Sequence, residues 1–348
     1  METNTETEHM KIIGYNTAGP IAASDSLLDL EAPKPVAQRR DVLVQVRAIS
    51  VNPVDTKVRA NAAPIQAPRV LGWDAAGVVV AIGQDVTLFE VGDEVFYAGA
   101  IDRPGSNAEF QLVDERIVGR KPVSLDFAEA AALPLTSITA WELLFDRLKA
   151  QMGKPADAGA ILILGGAGGV GSILIQLARR LTGLTVIASA SRPESQDWAQ
   201  EMGAHHVIDH SRPLAEQVLA IVPEGMAHAV ALTHSAQHFE ELVKLIRPQG
   251  QLALIDDPAT PLPINELKAK SISLHREFMF TRAKFETPDM IAQHRLLNEV
   301  ADLVDAGVLK TTMRQHLGPI SAASLKQAHA LIESAAAIGK IVLDGVTS

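Results

Sequence analysis

The sequence predicts an α/β chain: a β-rich, barrel-like module with a doubly wound parallel-sheet module inserted into it. Three observations carry this. Up to about residue 125, short β-type runs are cut by Gly, Pro and Asp turns. From Ala160 onward, apolar strands alternate with helices, and a glycine-rich turn follows the first of them. A last strand at 340–343 closes the chain and can return to the first module. The expected division is 1–131 with 282–348 for the β-rich part and 132–281 for the insertion.

Composition narrows the function. The chain has 348 residues, 47% hydrophobic and 21% charged, which suits two globular domains rather than a disordered polymer. Lys and Arg total 31 against 41 Asp and Glu, a net charge of −10, which argues against a broad nucleic-acid-binding face. With no cysteine, disulfides, thiolate metal sites and a Cys nucleophile are excluded. The opening METNTETEHMK is polar and acidic and reads as a tail ahead of a strand near Met10, not as a secretory leader. The most apolar stretch, 70–83, is broken by Asp74 and three glycines and is too short to cross a bilayer. A soluble cytoplasmic protein, without membrane or nucleic-acid partner, is the expectation.

In the first module the strands read at 42–46, 77–82 and 110–113, with turns at 83–85, 91–93 and 103–105. Residues 125–148 are Ala/Leu-rich and helical in period, interrupted near Pro134. Strands then read at 161–164, 185–188, 206–209, 229–232 and 251–255, with helices at 170–181 and 196–202 between them. Such continuous apolar strands belong in a parallel sheet covered on both faces. Helices at 289–306 and 322–337 precede the closing strand.

The sharpest local signal is the run ILILGGAGGVG at 161–171. Gly166, Gly168 and Gly171 satisfy G-x-G-x-x-G, with Ala167, Gly169 and Val170 between them. Small residues are needed where a strand turns tightly into a helix, where backbone approaches a pyrophosphate, and where the helix packs on the strand. The helix N-terminus offers free N–H groups and a positive dipole end. No Gly-Lys-Ser/Thr follows, so a P-loop is excluded. An NAD site usually has a carboxylate at the end of the second strand. Here that end reads Ser189, Ala190, Ser191, Arg192. Two hydroxyls and a guanidinium suit the extra phosphate of NADP(H). The plainer alternative is a solvated turn with Ser191 or Glu194 near a helix cap.

These residues join others in a wider pattern: SVNPVDTK at 50–57, LGWDAAGVV at 71–79, VGDEV at 91–95, GSNAEF at 105–110, AALPLTSITA at 131–140, RPQG at 247–250 and GKIVL at 339–343. Over almost the whole chain this resembles the medium-chain dehydrogenase/reductase superfamily, and within it the zinc-free quinone oxidoreductase branch, often labelled zinc-type alcohol dehydrogenase-like. The resemblance implies a GroES-like catalytic domain split around a Rossmann domain. Zinc members place ligands where this chain has Asn52, Trp73 with Asp74, and Leu135, so the resemblance implies no zinc. The pair His234-x-x-x-His238 could present two imidazoles on one helical face, but it lacks a convincing third ligand. His205, His206 and His210 read as strand-edge residues, and His210 stands where relatives tend to have Tyr beside the adenosine phosphate.

The implied activity is hydride transfer from NADPH to a small electrophilic acceptor, a quinone or an α,β-unsaturated carbonyl. An enoyl or alkene reductase with the same chemistry, and a non-catalytic NADP-binding protein of crystallin-like or redox-sensing type, are the alternatives. The resemblance puts Asn52, Asp55, Trp73, Tyr97, Leu135, Phe278 and Phe280 around an acceptor pocket in the cleft between the domains. Asn52 and Tyr97 are candidate oxyanion donors or proton suppliers, whereas Asp55 and Asp74 read as loop-holding carboxylates. Thr136, Thr139, Thr233 and His234 fall on the nicotinamide side of the coenzyme. The resemblance also implies a homodimer, since members of this family commonly pair the sheet-edge strand at 271–274 with its copy in a second subunit.

Overall fold

The computed structural model describes residues 8–61, 68–155 and 157–346. Most of the acidic leader, residues 1–7, lies outside them. The described residues separate into two compact units, divided between Leu135 and Thr136 and again between Met279 and Phe280.

The first unit begins with β1 (His9–Tyr15), β2 (Leu28–Pro33) and β3 (Asp41–Val51), followed by α1 (Pro53–Asn61). Five short strands follow: β4 (Arg69–Val70), β5 (Ala75–Ile82), β6 (Glu94–Tyr97), β7 (Phe110–Asp114) and β8 (Val118–Arg120). The helix α2 (Phe127–Ala131) is capped by Asp126 and Glu129, each side chain bonding the other's backbone N–H. Next comes α3 (Pro134–Trp141), with Pro at a position where its missing N–H costs nothing. The expected break near Pro134 is therefore a helix start, and residues 142–147 continue as a π-turn that sequence periodicity does not show.

The second unit holds β9 (Ala160–Leu164), α4 (Gly169–Leu181), β10 (Thr185–Ser189), α5 (Pro193–Glu201), β11 (His206–Ile208), α6 (Leu214–Ile221), β12 (Met226–Ala231), α7 (Ser235–Leu245), β13 (Ile246–Leu254) and β14 (Ser273–Arg276). Its six strands are parallel, in the order β11-β10-β9-β12-β13-β14. All five residues of β9 are buried, as the continuous apolar run requires of a central strand covered on both faces. The strand order reverses between β9 and β12, and ligands of such sheets sit outside the carboxyl ends at that point.

The chain then returns to the first unit with α8 (Thr281–Lys284), α9 (Ala292–Asp305), β15 (Met313–Pro319), α10 (Ala322–Glu333) and β16 (Lys340–Asp344). The closing strand inserts into the seven-stranded sheet, where β16 pairs antiparallel with β3 and parallel with β15. The helix expected to run to residue 337 stops at Glu333, and Ala335 just beyond it adopts a left-handed φ of 54°. No helix among the described residues is long and apolar enough to cross a membrane.

A buried polar cluster joins α1 to α10. Arg59 is fully buried and donates from Nε to His329 Nδ1 (3.2 Å), from Nη1 to Gly19 O (2.5 Å) and from Nη2 to Glu333. Because His329 accepts this bond, it must stay neutral. Burial, reinforced by the Arg59 charge, pushes its pKa down to about 3. The unfolded chain takes up a proton near pH 6.5 that the folded chain refuses, so this histidine costs stability as pH falls below that value. The stability advantage of wild type over His329→Gln should therefore shrink by about 2 kcal/mol between pH 7 and pH 5. Denaturant midpoints of the two proteins check this, and an advantage independent of pH would disprove it.

Candidate functional site

The glycine turn sits where the sheet order reverses. Gly165 leaves β9 with a left-handed φ of 87°, which Gly adopts without strain. A Cβ on Gly166 would stand 2.7 Å from Ala188 Cβ, and one on Gly171 would stand 2.5 Å from the carbonyl oxygens of both Gly165 and Gly166. Those two glycines are required by the chain's own packing. At Gly168 a Cβ would meet nothing closer than 3.7 Å, so protein packing leaves that position open. Its freedom from crowding suits close approach by a ligand. Gly168 is the N-cap of α4 and makes no side-chain cap, so the first-turn N–H groups at Gly169, Val170 and Gly171 point out of the helix end as donors. Ala167 is nearly buried beside them.

At the end of β10, Ser189 is buried and its Oγ accepts from the Gly165 N–H (3.1 Å) and contacts His210 Nδ1 (3.2 Å). The serine thus braces the glycine turn and links it to His210. Ser191 and Arg192 follow and are exposed. The backbone of Arg192 is pinned by Ser195, whose Oγ accepts from Arg192 N (3.2 Å) and donates to Arg192 O (2.8 Å). No carboxylate stands among the residues 189–192 that end the strand. Burial lowers the His210 pKa; Asp209 opposes the shift and His234 adds to it.

Thr233 and His234 follow β12, next to the glycine turn, and a Cβ on Gly165 would meet Thr233 Cγ2 at 3.1 Å. Thr233 Oγ1 and His234 Nδ1 are 2.8 Å apart. His234 adopts a left-handed φ of 52° as the N-cap of α7, so it stands outside the helix. The pair that the spacing could place on one helical face thus has only His238 within α7. His238 instead lies against His210, ring centroids 6.5 Å apart. Thr136 and Thr139 are both buried on α3.

In the first unit, the loop between β3 and α1 carries Asn52 into a buried network. Lys340 and Asp74 form an ion pair (2.9 Å) with side chains 2% and 0% exposed. Asp74 Oδ2 also accepts from Ser50 Oγ (2.8 Å) and Asn52 Nδ2 (2.8 Å), and its Oδ1 accepts from the backbone N–H of Leu135 (2.7 Å). Lys340 Nζ donates further to Val51 O (3.1 Å) and to Asn52 Oδ1. Asp55 accepts from Asn52 N (2.7 Å) and Gly72 N (3.0 Å), bracing the same loop. Burial pushes the Asp55 carboxyl up to about 7, assisted by the Asp74 charge and opposed by the bonds from Asn52 and Gly72 and by Lys340.

Trp73 donates from Nε1 to Ala100 O (3.1 Å) and meets Phe280 edge to face at 5.9 Å. Phe280 is buried, while Phe278 is 46% exposed. Tyr97, at the end of β6, is buried, and its hydroxyl finds no hydrogen-bond partner among the described residues. Burial raises its pKa, so the group stays protonated at neutral pH. Asn52, Asp74 and Leu135 are thus brought together, as are Trp73 and Phe280. Lys340 was legible only as the start of a terminal strand.

The chain is 42% identical over 337 residues to a zinc-type alcohol dehydrogenase-like protein of Staphylococcus aureus (strain COL), covering 96% of this chain and 100% of that one. It belongs to the medium-chain dehydrogenase/reductase superfamily. Two family models agree: the alcohol dehydrogenase GroES-like domain over 38–123, and the zinc-binding dehydrogenase over 169–293. A 2-methylene-furan-3-one reductase of Solanum lycopersicum is 31% identical, with 98% of this chain and 81% of that one covered. Among solved structures, a putative zinc-dependent alcohol dehydrogenase protein from Rhizobium etli CFN 42 superposes with a TM-score of 0.95 at 58% identity, over 99% of this chain and 100% of that one. A mycobacterial protein solved with NADPH superposes at 0.82 with 26% identity, over 96% and 99%. Membership makes the chain an oxidoreductase with a GroES-like first unit and a Rossmann-like second unit.

The side chains of this medium-chain dehydrogenase/reductase do not fit a catalytic zinc at Asn52, Trp73 and Leu135. Tetrahedral zinc takes thiolate, imidazole or carboxylate donors. Asn52 has its amide oxygen on Lys340 and one amide hydrogen on Asp74, the indole N–H of Trp73 is a donor only, Asp74 is a single carboxylate whose oxygens already accept from Ser50, Asn52, Lys340 and Leu135, and Leu135 is apolar. Among the described residues no group of three His, Cys, Asp or Glu side chains is arranged to hold a metal.

Proposed function

We propose that this chain is a zinc-independent NADPH-dependent reductase of quinones or α,β-unsaturated carbonyls. The observation that carries the reading is that Asn52 and Asp74, at two positions where the resemblance puts zinc ligands, are instead tied into a buried network with Lys340, on a chain whose second unit has a glycine turn suited to a coenzyme. The enone reductase of tomato and the mycobacterial NADPH complex support it.

The turn at Gly166, Ala167, Gly168, Gly169, Val170 and Gly171 would hold the pyrophosphate on the α4 N-terminus. Arg192 and Ser191 would take the adenosine phosphate, with His210 beside them and Ser189 fixing its ring. Thr136, Thr139, Thr233 and His234 would serve the nicotinamide end. Bound NADPH supplies a hydride, which with one proton converts an enone to a saturated carbonyl or a quinone to a hydroquinone. The chain's own task is to meet the negative charge that gathers on the acceptor's oxygen. Two groups have hydrogens to give: the Tyr97 hydroxyl and the second hydrogen of Asn52 Nδ2, neither of which has a partner among the described residues. Asp55 holds the Asn52 loop, and Trp73, Leu135 and Phe280 would supply apolar walls.

The test is NADPH consumption with a quinone, an enone and a saturated aldehyde, before and after exhaustive dialysis against a chelator. Turnover of the first two, unchanged by chelation, is expected. Activity that returns only with added zinc would overturn the metal-free reading, and tight NADPH binding without turnover of any acceptor would favour a coenzyme-binding protein. Tyr97→Phe should lower kcat about 10- to 100-fold with NADPH affinity unchanged. An unaltered kcat removes Tyr97 from the chemistry.

A further inference from the structure

We propose that Lys340 is a positioning residue: it sets the orientation of the Asn52 amide and so determines that a hydrogen, not a lone pair, is offered to the acceptor's oxygen. The inference rests on the reading that Asn52 serves the acceptor.

An asparagine amide is a fork of nearly equal arms, and only its partners decide which arm is oxygen. Here the two arms face opposite charges. The ammonium of Lys340 meets Oδ1, and the carboxylate of Asp74 meets Nδ2 at 2.8 Å. Turning the amide over would put NH2 against an ammonium and a carbonyl against a carboxylate. Both contacts are buried, where such a mismatch is most costly.

The accounting of hydrogens singles out one atom. Lys340 has three N–H donors and three acceptors: Val51 O, Asn52 Oδ1 and Asp74 Oδ2. Asp74 receives four bonds, from Ser50, Asn52, Lys340 and Leu135. Among the described residues, the second Nδ2 hydrogen of Asn52 is the donor of this network left without a partner. The amide lies between a cation on its oxygen and an anion on its other hydrogen. The cation on the oxygen strengthens the remaining N–H as a donor, and the carboxylate on the other hydrogen offsets part of that gain.

The sheet makes this arrangement precise enough to matter. Ile341 of β16 is in register with Val51 of β3, so Lys340 falls opposite Asn52 at the next antiparallel position. The lysine backbone is held in turn by its N–H to Thr312 O at 2.8 Å.

A double-mutant cycle of Asn52→Ala and Lys340→Met tests the inference, read as kcat and KM for an enone and as NADPH affinity. Lys340→Met is expected to lower kcat about 10- to 100-fold with NADPH affinity unchanged. In the Asn52→Ala background the same substitution should cost nothing further. Because Lys340→Met strands the Asp74 charge, the neutral pair Asp74→Asn with Lys340→Met is made as well, and its kcat should be equally low. Losses that multiply across the cycle, or a Lys340→Met enzyme with wild-type kcat, overturn the positioning role while leaving Asn52 as a donor. An Asn52→Ala enzyme with wild-type kcat overturns the reading of Asn52 itself, and the inference with it.

Discussion

Arg192→Glu should weaken NADPH binding roughly 100-fold and leave NADH binding within about twofold. The expectation follows from where the guanidinium starts. Arg192 stands just beyond β10, and Ser195 holds both its N–H and its carbonyl, so the side chain leaves a fixed piece of backbone at the strand end. A charge-assisted bond to a phosphate contributes about 1.5–3 kcal/mol, and reversing the charge adds repulsion. Tenfold in affinity is about 1.4 kcal/mol, so a hundredfold loss lies within that range. NADH lacks the phosphate and has nothing to lose there. The site is exposed, so salt screens it, and the gap between the coenzymes should narrow as ionic strength rises. Fluorescence titration with both coenzymes at two salt concentrations measures this. Equal losses for NADPH and NADH would place the phosphate elsewhere.

Gly171→Ala should abolish measurable coenzyme binding and lower stability by about 1–3 kcal/mol, whereas Gly168→Ala should cost affinity alone. The two glycines share a motif and differ in surroundings. The new methyl at 171 would lie 2.5 Å from two backbone carbonyl oxygens, and backbone cannot swing aside as a side-chain tip can. The start of α4 must move away from β9, carrying the phosphate-facing N–H groups with it. At 168 the nearest atom would be 3.7 Å away, an ordinary contact, and the φ of −74° suits alanine. A methyl there occupies the space reserved for the pyrophosphate without disturbing the fold. Thermal melts with coenzyme titrations separate the two effects. If Gly168→Ala binds NADPH normally, the close approach assigned to that glycine is wrong.

What could be read in advance was short in range. The strand–glycine–helix unit, the absence of an acid after β10 and the buried strands of the parallel sheet all depend on neighbours within a few tens of residues. Element edges were less legible. Helix α6 passed unrecognised, and β13 begins at Ile246, five residues before the expected strand at 251–255. The His234–His238 spacing suggested a shared helical face, yet a left-handed residue at 234 starts the helix one position later. Backbone conformation at a cap is set by the turn entering it, which spacing does not encode.

By itself, then, the order of residues determined the two-module α/β plan, the glycine turn between β9 and α4 and the lack of thiolate ligands, because each follows from local backbone geometry or from composition. Tertiary structure alone decided what surrounds Asn52. Its partners Lys340 and Asp74 are 288 and 22 residues away in the chain, and only the pairing of β16 with β3 brings the lysine beside it. A buried charge takes its meaning from what it touches, and contact between distant segments is settled by sheet register, which no local pattern reports.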